Sequence, residues 1–207
     1  MTVVLSDDRT KTIVAATGKQ SMLEKLRKLI EMGTGEFEHF DAQHLATLDS
    51  TRCLLKAWAA SDTLQQAGLY HLVYVFTKQL SDDEKRALIE QRKAVSVLLG
   101  ADVEVIIYYY HACDFGYLLE QPLNTATLSI FDRFIEQNII LDETRFRDVC
   151  ELAVAIEVER VLAKNKEYGS NPLFLQQMLT KMQPYLSRAA KNKLYQICDL
   201  HIAQTNP

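Results

Sequence analysis

Ala101-Asp-Val-Glu-Val-Ile-Ile-Tyr-Tyr-Tyr-His-Ala-Cys113 is the stretch on which the fold class turns. Val103, Val105, Ile106, Ile107 and the three tyrosines favour a strand by intrinsic propensity. The neighbours argue for a helix. Upstream, Ser81-Asp-Asp-Glu84 has the form of a capping box, in which hydroxyl and carboxylate satisfy free amides reciprocally. The helix it opens runs to Leu99, and Gly100 stops it. Downstream, Asp142 to Lys166 carries a broad apolar face through Phe146, Val149, Cys150, Ala153, Val154, Ile156 and Val158. Set between helices, 101–113 reads as a buried helix and the chain as all-α.

Further helices follow from spacing. Met22, Leu23, Leu26, Leu29 and Ile30 mark one over Ser21–Met32, ended by Gly33-Thr-Gly35. Asp41 to about Ala60 carries Leu45, Leu48, Leu55 and Trp58, and Ser61-Asp62 caps the next helix, which reaches about Thr77. Ser129–Gln137 reads as a short helix, and Phe115–Thr127, with Gly116 and Pro122, as a loop. Gly169-Ser170 breaks the long helix, Asn171-Pro172 opens the next, and two helices at about 172–184 and 187–204 close the chain. The expected organisation is an N-terminal arm over 1–18 and one all-helical domain of about eight helices over 19–207.

Composition narrows the function classes. Apolar residues make up 48% and charged residues 24%, near the globular average. A net charge of -4 disfavours nucleic acid as a partner, because phosphate contacts need clustered Lys and Arg. No run of about 18 apolar residues occurs, so no membrane span is expected. The N-terminus lacks a basic segment followed by a long apolar one, so no signal peptide is expected. The cysteines at 53, 113, 150 and 198 contain no Cys-x-x-Cys pair and suit reduced thiols in a cytoplasmic protein.

Two histidines then stand out. His44 precedes Leu45 by one residue and Leu48 by four, at the edge of the apolar stripe of its helix. His71 lies in Ala67-Gly-Leu-Tyr-His-Leu-Val-Tyr74, almost wholly apolar. Gly68, in mid-helix, costs about 1 kcal/mol relative to Ala, and such a residue admits a close approach by a helix or ligand. His111 and Asp114 close the apolar 103–110 segment, where a pocket mouth often lies. Asp148, Glu157 and Glu159 are further carboxylates within the long helix, at least two of them expected at the surface.

The segments around His44 and His71 resemble the first two motifs of the HD-domain superfamily. In that superfamily one helix carries a His, a later one a His-Asp pair and a distal one an Asp, together binding one or two divalent metals. His44 matches the first His and His71 the His of the pair, but Leu72 stands where the hallmark Asp belongs. Leucine can neither ligate nor bridge a metal. A closer likeness is to an uncharacterised group of degenerate HD-like proteins. It is carried by His44, Leu54-Leu55, Trp58, Ala67-Gly-Leu-Tyr-His71, Tyr74, Arg92, Gly100 through Tyr110, and Asp114, roughly over 39–115.

What the resemblance implies is an HD-like fold with His44, His71, His111 and Asp114 as ligands of a divalent metal (Fe, Mn or Zn) beside a small-molecule pocket. Three readings stay open. In the first, the metal activates water or dioxygen, making a phosphohydrolase or oxygenase of the HD type. In the second, the same cavity holds a small ligand, or the domain binds a protein, without catalysis. In the third, the histidines are hydrogen-bonded core residues and no metal is bound.

Overall fold

A computed structural model of the protein describes residues 21–34, 42–74, 80–120, 127–163 and 172–205. The 101–113 stretch is helical: α5, Ala101–Ala112, begins at Gly100 and ends at Cys113. Val103, Ile106, Ile107, Tyr108 and Ala112 are buried on it, so burial outweighs strand propensity. The other helices are α1 (21–31), α2 (Ala42–Ala57), α3 (Asp62–Leu69), α4 (Asp82–Leu99), α6 (Phe115–Glu120), α7 (Glu143–Leu162), α8 (Pro172–Met182) and α9 (Arg188–Thr205). With one small hairpin as its sheet, the described chain is all-α. No helix among the described residues is long and apolar enough to cross a membrane.

The helix caps behave as local chemistry requires. Ser61 Oγ accepts from the Leu64 amide, and Ser81 with Glu84 forms the complete capping box. Gly100 has φ 99°, a left-handed conformation that a side chain would strain, and it lets α4 turn directly into α5.

The middle of the fold is α7. Cys150 through Glu159 are buried without a break, the pattern of a helix covered on every side. It packs against α2, α3, α5, α8 and α9. Four residues join α2 to α3, and the two run back along each other. A Cβ placed on Gly68 would lie 2.5 Å from Leu55 Cδ1 and 3.7 Å from Arg52 Cα. Gly68 therefore serves the approach of α2.

Three expectations are corrected. The 129–137 segment is a hairpin, β1 (Ser129–Asp132) paired antiparallel with β2 (Gln137–Ile140), Ser129 opposite Ile140. Ile130 and Asp132 face inward while their neighbours are half-buried, a period of two. Asp132 Oδ1 accepts from the Phe134 and Ile135 amides, which folds the chain back where a helix would continue. The supposed loop after Cys113 begins as α6, because Asp114 Oδ1 caps the Tyr117 amide. The helix carrying His71 stops at Leu69, where Tyr70 bonds back to Gln66 and Ala67, and a 3-10 turn follows over His71–Tyr74. The arm over 1–18, the Gly169-Ser170 break and the Asn171 cap lie outside the described residues.

Candidate functional site

His71 is built into the wall between α3 and α5. It is 3% exposed, and its Nδ1–H donates to the Gly68 carbonyl at 2.7 Å. The carbonyl of His71 in turn accepts from the Nε2–H of His111. The two imidazoles thus form a relay through backbone: His111 on α5 holds the 3-10 turn, and His71 holds the last turn of α3. Burial pushes the pKa of His71 down to about 4 and that of His111 to about 3, so both rings are neutral near pH 7. The bond to Gly68 opposes the shift of His71, and nearby Arg160 adds to it.

Around this relay stand groups from three elements, α5, α7 and the hairpin turn. The Tyr110 ring meets His111 edge-on at 4.8 Å and His71 at 6.4 Å. Tyr110 is pushed up to about 12 by burial, against the pull of Arg160, whose guanidinium donates to its hydroxyl oxygen. Arg160, on the last turn of α7, also pairs with the nearly buried Glu157. Arg133, in the hairpin turn, donates its Nε–H to the His111 carbonyl at 2.9 Å and so caps the C-terminus of α5. Tyr110, His111, Arg133 and Arg160 all keep part of their surface in solvent. The arrangement ties α3, the 3-10 turn, α5, the hairpin turn and the end of α7 together around buried His71.

The other two residues expected here fare differently. Asp114 spends one carboxylate oxygen on the α6 amide cap. His44 stands in α2, but its side chain lies outside the described residues. Because Gly68 meets Thr51 and Arg52, the antiparallel pairing carries His71 toward the N-terminal half of α2, where His44 is. Leu72 is half-buried and packs on the core. Of the three α7 carboxylates singled out from the sequence, Asp148, Glu157 and Glu159, the last two are buried at 9% and 6% exposure. The expectation that at least two lie at the surface is thereby corrected, and Glu157 faces Tyr110. Among the described residues, no three His, Cys, Asp or Glu side chains group closely enough to hold a metal ion.

Beside the relay runs a polar network that the sequence did not announce. Glu104, 4% exposed, accepts from Tyr74 Oη at 2.9 Å and from Arg92 Nε at 2.7 Å and Nη2 at 3.2 Å. The Arg92 guanidinium lies over the Tyr108 ring, 3.4 Å from its centroid. Tyr108 Oη donates to Asp132 Oδ2 at 2.7 Å. Burial and the neighbouring carboxylate push both Tyr74 and Tyr108 well above the ordinary phenol range. One signal for this network was present: a carboxylate, Glu104, inside an otherwise apolar run.

A groove of about 560 Å³ opens elsewhere, between α1 and α4, lined by Lys25, Lys28, Ala94, Val97 and Leu98 among others. It contains none of the residues above, and its charges are the solvated ones of two helix faces.

With this geometry in view, comparison with known families yields one match. A family described as a domain of unknown function (DUF6817) matches residues 28–115, from α1 to the first residue of α6. The matched span holds His44, His71, the Arg92–Glu104 pair and His111. No curated protein and no solved structure matches the chain.

Proposed function

We propose that this chain is a helical, HD-like ligand-binding domain in which His71 and His111 organise backbone, and that it takes a small molecule where Tyr110 and His111 reach solvent at the end of α5. The observation that carries this reading is the relay. Each imidazole gives its N–H to a main-chain carbonyl, and the two bonds join α3, the 3-10 turn and α5. Buried polar groups with satisfied partners rigidify a wall, and a rigid wall is what a binding recess needs. The carboxylates nearest the relay have other work: Glu104 and Asp132 hold the polar network and Asp114 caps α6. The negative net charge supports a small molecule rather than nucleic acid as the partner. Four cysteines without a disulfide suit the cytoplasm.

One observation favours a second reading. A histidine that donates one N–H to a carbonyl presents its other ring nitrogen as a lone pair, the usual posture of a metal ligand. His71 Nε2 and His111 Nδ1 meet that description, and His44 would have to complete the set for Fe, Mn or Zn.

Elemental analysis of the full chain, purified without added metal, separates the two. The binding-domain reading expects less than stoichiometric metal, unaltered by His44→Ala. Stoichiometric Fe, Mn or Zn that His44→Ala removes would overturn it and establish the metal-dependent alternative.

A further inference from the structure

The groove between α1 and α4 lies away from the histidine relay and has a composition of its own. Its apolar lining is Met32, Ala94, Val97 and Leu98. Val97 is 89% exposed, the highest value for a large apolar side chain among the described residues. The charged lining is Glu24, Lys25, Lys28 and Glu31, two of each sign, so an occupant need bring no net charge. Ser21, the first residue of α1, also lines the groove, so the chain enters α1 at the groove itself. Residues 1–20 precede that point. They include Thr12-Ile-Val-Ala-Ala16, uncharged and mostly apolar, joined to Ser21 by Thr17-Gly-Lys-Gln20.

We infer that this groove is the seat of the chain's own N-terminal arm, with Thr12–Ala16 laid along it antiparallel to α1 and covering Val97. The lengths agree. α1, over 21–31, is about 15 Å long at the rise of an α-helix. Five extended residues span about 16–18 Å, so Thr12–Ala16 matches the wall it would lie on. The four residues between, with Gly18 among them, are enough to reverse the chain at the start of α1. In an extended segment alternate side chains face one way, so either Ile13 and Ala15 or Val14 and Ala16 meet the α4 wall. The short connection also decides the occupant. A segment tethered by four residues has an effective concentration of about millimolar, far above that of a second copy's arm in dilute solution. The inference is independent of the ligand reading at the end of α5.

The test is hydrogen exchange of the full chain, read by mass spectrometry over residues 12–16. Those amides should exchange about tenfold or more slower than the intrinsic rate for their sequence. Val97→Asp, which puts a charge where the apolar patch would sit, should return them to the intrinsic rate. Ile89→Asp, at a 54% exposed α4 position outside the groove lining, should leave their protection unchanged. Intrinsic exchange over 12–16 in the unaltered chain overturns the inference. So does protection that survives Val97→Asp, which would seat the arm elsewhere, or protection that Ile89→Asp removes equally, which would mark a general loosening of α4. Protection that rises with protein concentration, alongside a dimer in sedimentation equilibrium, would put a second copy's arm in the groove and overturn the seat within one chain. Where Val97→Asp fails to fold, Val97→Ser replaces it: loss of the apolar surface should still lower the protection severalfold, and unchanged protection counts against the inference.

Discussion

Removing the Glu104 carboxylate should be among the most damaging single changes to this fold. The group is buried at 4% exposure and accepts three hydrogen bonds, two from Arg92 and one from Tyr74. Glu104→Ala strands both partners. Tyr74 is 0% exposed, so its hydroxyl then has no acceptor, at a cost of about 1–3 kcal/mol. The Arg92 side chain is 31% exposed, and water recovers part of its loss. Breaking a buried pair by deleting one partner costs about 3–5 kcal/mol, and that exposure places this case toward the lower end, about 3 kcal/mol. Chemical denaturation at pH 7, with the slope checked for constancy, measures it. The partners can be separated by a double-mutant cycle. Arg92→Met in the Glu104→Ala background should cost markedly less than Arg92→Met alone, since the stranded charge goes with it. A Glu104→Ala loss below about 1 kcal/mol would refute the network's structural role, as would strict additivity in the cycle.

Three other changes test the rest. The His71 pKa falls to about 4 in the fold from 6.5 unfolded, so the unfolded chain binds the extra proton and stability is lost as pH drops through that window. The loss due to His71 approaches about 3 kcal/mol by pH 4; denaturation midpoints at pH 7 and pH 4.5 that differ no more in the wild type than in His71→Gln would contradict it. Gly68→Ala gains about 1 kcal/mol of helix propensity but drives a Cβ to 2.5 Å from buried Leu55 Cδ1, which costs about 1–3 kcal/mol. A net loss is expected in thermal melts, partly relieved by Leu55→Val; outright stabilisation would show the α2–α3 approach to be looser than described. Asp132→Ala frees the Phe134 and Ile135 amides and the Tyr108 hydroxyl, so hydrogen exchange at those two amides should accelerate while α7 amides stay protected.

How much of this was legible in the sequence depended on how local the deciding interaction is. The caps at Ser61 and Ser81 act over three residues, and they were read correctly. α5 was recovered from its neighbours, since its own residues prefer strand. The hairpin was misread because its turn rests on one side chain, Asp132, anchored by Tyr108 from 24 residues away. Glu104 has partners 12 and 30 residues distant, and no spacing rule connects those positions.

The histidines show the same divide between place and role. Burial of His71 was evident from its apolar surroundings, but its role is set by two carbonyls, Gly68's and its own, that no side-chain pattern encodes. Gly68, Trp58, Tyr74 and Arg92 carry the likeness to the degenerate HD-like group. In the fold, Gly68 admits α2, Trp58 is buried core, and Tyr74 and Arg92 converge on one carboxylate. A motif whose members each have a packing or hydrogen-bonding duty constrains architecture before chemistry.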